Sequence, residues 1–506
     1  MGKQQSIKKN FVMNVILTVS GIIFPIVTFP YVGRVLGPSG TGKVDFATSI
    51  IGYFALFAQL GIPTYGIRAC AKVRDDKRLL SKTVFELLTI NIVMTILSYI
   101  CLIIAISYIP KLQTEKTLLL IISTTMIFNA IGIDYLYRAI EQYTYITLRS
   151  LMFKAIAFVS VFLLVKNEED YVVYGAITIF AVSASNIMNL IHSRRYISKK
   201  NIGRLNIRQH FKPIATFLAM SCATTVYLNL DRVMLGFMKT DVDVGYYGAA
   251  VKIKNIMVSV VTSLGAVLLP RASYYVEHGL MDEFRKITTK ALSFVFVIAS
   301  PLMAYFIIFA RPGILVVSGE EYLPAVPAMQ VIMPTLMFIG ITNILGIQIL
   351  LPLGKEKYVL YSEIAGAVVD LVLNIWLIPI WGATGAAMGT VVAEFVVLLV
   401  QLILLKKIYL ENPILDSFKH IKYVYVGISL TASSVLAVLL DKRLSSVGWV
   451  SGFTKKNSIL VNNTIVIVLS GLLFFGIYYV IMLLLKDEMM LEITSTVLGK
   501  LRRKKR

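Results

Sequence analysis

The chain has 506 residues, 57% of them hydrophobic and only 15% charged, where a soluble domain carries roughly 25% charged residues. That balance excludes a soluble domain of any size, because about fourteen membrane spans of about 20 residues each would consume about 280 residues. The formal charge of +22 does not point to nucleic acid, because the basic residues flank apolar runs, where they set orientation and meet anionic lipid.

Lys3, Lys8 and Lys9 precede an apolar run that is too long for a signal-peptide core and lacks a small-residue cleavage site, so it is taken as the first span. The hydropathy pattern predicts spans at 11–33, 44–66, 83–107, 117–137, 147–165, 171–192, 213–238, 245–270, 290–310, 324–351, 358–380, 383–405, 421–440 and 464–485. With the N-terminus in the cytoplasm, about 34 Lys and Arg fall on inner segments and about 11 on outer loops, a positive-inside bias. Lys290 and Lys422, at the inner ends of their spans, count as inner. The heaviest inner loops are 67–82 and 193–212, and the tail Arg502-Arg503-Lys504-Lys505-Arg506 is also inner. The discordant loop is 441–463, with Lys442, Arg443, Lys455 and Lys456 on the outer side.

The pattern repeats. Gly33-Arg34-Val35-Leu36-Gly37 closes span 1, and Asp231-Arg232-Val233-Met234-Leu235-Gly236 lies late in span 7. Small-residue helix starts follow at Phe46-Ala47-Thr48 and Tyr247-Gly248-Ala249-Ala250, then Pro63 and Pro270 near the inner ends. The expectation is an all-α polytopic protein of about 14 transmembrane helices, built as two six-helix bundles related by a pseudo-two-fold along the membrane normal. The lobes are 1–192 and 213–405, joined by a basic linker at 193–212. Two additional helices at 406–485 and a basic tail at 486–506 complete the chain.

Gly37-Pro38-Ser39-Gly40-Thr41-Gly42-Lys43 fits a phosphate-loop pattern. Val44 stands where Ser or Thr must hold magnesium, and a span rather than a strand precedes it, so the expectation is a flexible outer turn and not a nucleotide site. Cys70, Cys101 and Cys222 form no metal spacing, and His192, His210, His278 and His420 fall in or beside polar loops. No metal, cofactor or catalytic constellation is expected, and the chain is not read as an enzyme.

A charge at the bilayer centre costs at least about 2.5–3.5 kcal/mol on insertion scales, so such residues usually face a cavity. Arg34, Lys43 and Asp45 lie at the outer mouth and Glu86 early in span 3. Around the turn between spans 4 and 5 lie Asp134, Arg138, Glu141, Arg149 and Lys154. Arg138 and Glu141, three apart on one helical face, form a gate or interface pair. Lys252 and Lys254 diverge by about 200° around span 8; they form a cationic site for an anion or snorkel to headgroups. Asp231 and Arg232 are ion partners for neighbouring helices or functional charges. Glu363, Asp370 and Glu394 are candidates for cation coupling or are solvated near span ends. Pro25 and Pro30 in span 1, and Pro327 and Pro334 in span 10, kink their helices.

These residues carry a resemblance. Six plus six plus two spans resemble the multidrug/oligosaccharidyl-lipid/polysaccharide exporter superfamily. Phe29-Pro30-Tyr31-Val32-Gly33-Arg34-Val35-Leu36-Gly37 resembles the end of the first span of polysaccharide-repeat (Wzx-type) flippases. So do Asp134-Tyr135-Leu136-Tyr137-Arg138-Ala139-Ile140-Glu141-Gln142-Tyr143, Tyr145-Ile146-Thr147-Leu148-Arg149, Asn229-Leu230-Asp231-Arg232-Val233-Met234-Leu235-Gly236 and Val267-Leu268-Leu269-Pro270-Arg271, in order, over nearly the whole chain. The resemblance implies movement of an undecaprenyl-pyrophosphate-linked oligosaccharide from inner to outer leaflet of a bacterial cytoplasmic membrane. The headgroup ligands are then expected to be Arg34, Lys252, Arg149 and Lys254, in that order. A coupling cation (H+ or Na+), anionic lipids, a polymerase and glycosyltransferases are the implied partners, around a monomer. Two other activities stay open at this point: a lipid II flippase, expected to carry more arginines in its spans, and a cation-coupled multidrug exporter, usually of twelve spans with acidic cavity residues.

Overall fold

The structure, a computed structural model, describes residues 7–198, 202–409, 423–446, 455–492 and 494–495. His420, Lys422, loop residues 447–454 and the basic tail 496–506 lie outside the described residues, as do residues 199–201 of the linker. The described chain is almost wholly helical and divides into two compact units, Met1–Gly245 and Tyr246–Arg506.

The first unit is built from α1 (Ile7–Gln59), α2 (Ile62–Lys72), α3 (Lys77–Tyr108), α4 (Pro110–Thr114), α5 (Lys116–Gly132), α6 (Asp134–Ala139), α7 (Tyr143–Leu164), α8 (Tyr171–Ile179), α9 (Asn186–Ser193) and α10 (Arg208–Met238). The second takes most of α11 (Asp241–Glu277), then α12 (Met281–Ile308), α13 (Ala310–Val317), α14 (Val326–Ile332), α15 (Thr335–Asn343), α16 (Glu356–Tyr409), α17 (Tyr423–Ser446) and α18 (Lys455–Leu484). Among the described residues, seven helices are long and apolar enough to cross a membrane, or up to ten if each of three bent pairs is one span. Ile96, Ile103, Leu163, Val182, Trp376 and Leu472 are each more than half exposed. Apolar surface of this extent is incompatible with water and fits acyl chains.

Besides the bent pairs, two expected spans of the first unit are interrupted at residues with left-handed angles. Span 2 breaks at Leu60 and Gly61, whose φ values are +48° and +73°. Gly61 sits so close to the α10 backbone that a Cβ there would lie 2.7 Å from the Phe217 carbonyl carbon. Pro63 then opens α2 in its first turn, where its missing N–H costs nothing, so it starts a helix rather than ending one. Span 4 breaks at Ile133, fully buried with φ +39°. The break leaves the Gly132 carbonyl without its helical partner, and Asn189 Nδ2 donates to it at 2.7 Å.

The glycine-rich segment after span 1 is not a flexible turn. It is helical on both sides of Gly37, the residue with non-helical angles (φ +63°, ψ −179°). Its glycines mark a tight crossing with the start of α11: a Cβ on Gly42 would lie 1.7 Å from the Asp241 carbonyl oxygen, and one on Gly245 2.0 Å from that of Pro38. Lys43, in the position of a phosphate-loop lysine, instead pairs with Glu115 at 2.9 Å and lies over the Tyr171 ring. Lys111 pairs with Asp241 at 2.7 Å beside the same crossing.

Glu86 explains itself structurally. Its carboxylate is fully buried and accepts from Asn206 N at 2.6 Å, Gln209 Nε2 at 2.9 Å and His210 Nε2 at 2.8 Å. This fastens the end of the basic linker to α3. His210, expected beside a polar loop, is buried in α10 and also bonds the Tyr65 hydroxyl through Nδ1 at 2.7 Å. Glu86→Gln replaces charge-assisted bonds with neutral ones and faces one donor with another. It is expected to cost about 1–3 kcal/mol, read as a lower melting temperature of the purified protein.

Candidate substrate cavity

The helix breaks of the first unit open a cavity of about 490 Å³. Ile133 ends α5 and restarts the chain as α6, which places Asp134 in the first turn of a new helix. Asp134 and Arg138 of α6 and Arg149 and Lys154 of α7 all line the cavity. Asp134 holds both arginines: Arg138 Nε donates to Oδ2 at 2.7 Å and Arg149 Nη2 to Oδ1 at 3.3 Å. Lys154 Nζ donates to Ser20 Oγ of α1 at 2.9 Å. The wall thus carries three cationic side chains against one carboxylate.

Arg149 is the most constrained of these. Its side chain is 5% exposed, and its guanidinium lies 5.8 Å from the centre of the Tyr145 ring. That ring stacks on Tyr137 and His192, with centroids 5.1 and 4.3 Å apart. Arg149 Nε and Nη1 have no hydrogen-bond partner among the described residues. Each unsatisfied buried donor costs about 1–3 kcal/mol, so the site is energetically disposed toward an acceptor such as a phosphate oxygen, which a guanidinium meets with forked donation. Neutral amides complete the wall. Asn186 Nδ2 donates to Asn129 Oδ1 at 3.1 Å, and Asn91 and Gln59 line the same space. Amides present donors and acceptors together and suit hydroxyl groups.

Of the residues singled out in the sequence, the cavity brings together Asp134, Arg138, Arg149 and Lys154. Arg34 does not line it; its Nη1 donates to the Pro30 carbonyl, and it lies 14 residues beyond Ser20 on α1, about 21 Å along the helix axis. The shared helical face expected for Arg138 and Glu141 does not form. α6 ends at Ala139, Glu141 has φ +59°, and its carboxylate pairs with Arg74 at 2.8 Å. Asp231 is buried and Arg232 half-buried in α10. Lys252 and Lys254 are both half-buried on α11, in the second unit.

The second unit has its own buried polar cluster. Asp370 and Asn374, both fully buried, lie against Gly389, where a Cβ would sit 3.1 and 2.3 Å from their Oδ1 atoms. Thr390 Oγ1 meets the Tyr247 hydroxyl at 3.0 Å, and Glu394 is buried one turn further on. Asp370 and Glu394 are therefore not solvated span ends; Glu363 is half-buried. Asn129 and Asn186, not among the expected site residues, are amides inside apolar runs, a signal the sequence carries, whereas nothing in the sequence marks Ser20.

The arrangement defines a multi-pass, all-helical membrane protein with a polar cavity inside its first helical unit. Residues 7–276, more than half of the chain, match the family described as polysaccharide biosynthesis protein, and the chain belongs to that family. Residues 217–376 also match the MatE family. A protein of Escherichia coli (strain K12) named "Putative O-antigen transporter" is 22% identical over 396 residues, covering 78% of this chain and 95% of that one. Among solved structures, "Lipid II flippase MurJ, inward closed conformation" is similar with a TM-score of 0.67 at 15% identity, over 93% of this chain and 99% of that one. An inward-facing multidrug resistance MATE family transporter of the MOP superfamily gives 0.61 at 14% identity, over 81% and 99%. The likeness to these two solved structures is one of fold.

Proposed function

We propose that the protein flips an undecaprenyl-pyrophosphate-linked oligosaccharide repeat from the inner to the outer leaflet, for capsule or exopolysaccharide synthesis, by alternating access. The observation that carries the reading is the cavity in which Arg149, Arg138 and Lys154 converge beside Asn129 and Asn186. A pyrophosphate takes the cations and sugar hydroxyls take the amides, while the polyprenyl tail stays in lipid. Unaided, each unpaired polar group would cost several kcal/mol in hydrocarbon. The E. coli relative's name agrees with this substrate class.

Arg149 now takes first place among the headgroup ligands, with Arg138 and Lys154 beside it; Arg34, Lys252 and Lys254 act at other points of the path. Asp370 and Glu394 are the proposed cation-coupling carboxylates, with Glu363 third. Asp231, Arg232 and Glu141 hold helices in place. Fourteen spans remain part of this reading. Val12–Lys72 and Glu356–Lys406 have 61 and 51 residues, about 90 and 75 Å of helix, too long for one crossing of about 30 Å. Counting each of those two twice, each bent pair once, and adding Lys116–Gly132 and Tyr423–Leu439 reaches the number. The reading has both termini in the cytoplasm, which the positive-inside charge bias of the sequence supports. Anionic lipids, the polymerase and the glycosyltransferases are the proposed partners of a monomer.

Deleting the gene is expected to abolish surface polysaccharide and to leave the lipid-linked repeat unit accumulated inside, with wild-type add-back restoring both. Unchanged surface glycan together with intracellular drug accumulation would refute the assignment.

A further inference from the structure

Helix α2 separates two cavities. Pro63, Thr64 and Ile67 face the substrate cavity, while Tyr65, Arg68, Ala69 and Lys72 line a second one of about 340 Å³. At 100° per residue these two sets centre about 140° apart on the helix. The second cavity belongs to no site described so far.

Its lining sets two strongly basic side chains, Arg68 and Lys72, against apolar ones, with Thr83, Gln209 and His210 as the polar remainder. Arg68 and Lys72, one turn apart, lie on the same face. Both are exposed, and neither makes an ion pair or a side-chain hydrogen bond among the described residues. No carboxylate lines the cavity. Pro213 and Phe217 of α10 form an apolar wall. The shape is held by two bonds: the half-buried Tyr65 is fixed by His210, and His210 by the fully buried Glu86.

We propose that this cavity is a phosphate site for the headgroup of an anionic membrane phospholipid. Arg68 and Lys72 take the phosphate, and Phe217 and Pro213 take the glycerol and first acyl carbons. A free phosphate satisfies the cations but leaves the apolar wall unused. The occupant bears on an 11-residue helix set off by the break at Leu60 and Gly61, whose other face lines the substrate cavity. The proposal stands independently of the flippase reading.

The test is lipid retention by the purified full-length protein in native mass spectrometry, with phosphatidylglycerol and phosphatidylcholine as probes. The wild type is expected to prefer phosphatidylglycerol by about 25-fold, about fivefold for each of the two cations near the phosphate. Arg68→Gln with Lys72→Gln brings the ratio to about one, while Lys72→Arg keeps it. A Lys77→Gln, Arg78→Gln control, at exposed cations outside the cavity, leaves it unchanged. Inorganic phosphate separates the sources: a melting-temperature rise that needs Arg68 and Lys72, without any lipid preference, assigns the site to soluble phosphate. The proposal is overturned if the Arg68/Lys72 variant keeps both the lipid preference and the phosphate shift, if the control pair removes the preference equally, or if neither probe binds the wild type.

Discussion

Replacing Arg149 with glutamine is expected to lower surface polysaccharide about 10- to 100-fold at normal protein level, since a hydrogen bond to a charged group contributes about 1.5–3 kcal/mol. The size of the effect follows from burial. Arg149 is 5% exposed against 38% for Arg138, so water cannot replace the lost guanidinium. The fold should survive, because Asp134 keeps its shorter bond to Arg138. Arg138→Gln should do less, because solvent screens an exposed charge. Arg34→Gln tests a cation of α1 outside the cavity: a larger loss there than at Arg149 would move the headgroup site out of this cavity. Surface glycan, normalised to membrane protein abundance, is the readout.

The second large effect is on folding. Gly42→Ala is expected to destabilise the first unit strongly, because a methyl cannot occupy a point 1.7 Å from the Asp241 carbonyl oxygen. The helices must separate, and overpacking of this kind costs about 1–3 kcal/mol or more. Gly245→Ala does the same from the other side, against the Pro38 carbonyl. The two changes share one crossing, so the double variant should lose less than the sum of the singles. Additive losses in melting temperature would show that the two glycines do not meet. Ser39→Ala, at an exposed position of the same segment, should leave stability unchanged.

The positions of the spans were legible because a bilayer demands about 20 apolar residues per helical crossing, which hydropathy reads directly. The breaks within them were not. Ile133 and Leu60 adopt left-handed angles without being glycine, a conformation enforced by tertiary packing rather than local preference. For the same reason Arg138 and Glu141 share no helical face: their spacing implies one only in a continuous helix, and α6 stops at Ala139. The charges at the turn between spans 4 and 5 stood out as unusual, yet their meeting required a break at Ile133 that sets α6 against α7. Lys154 reaches Ser20 across 134 positions, a relation no spacing rule contains. The glycines at 37–42 were visible too, but their reason lay at Asp241 and Gly245.

The most direct measurement is flipping by the purified protein in sealed vesicles. Undecaprenyl-pyrophosphate oligosaccharide is incorporated in both leaflets, and the fraction open to a membrane-impermeant glycosidase is followed with time. The account predicts that wild-type protein exposes the inner pool, that Arg149→Gln slows exposure about 10- to 100-fold, and that the saccharide on a neutral lipid carrier moves no faster than in empty vesicles. Equal flipping by wild type and the Arg149 variant, or indifference to the pyrophosphate, would contradict it.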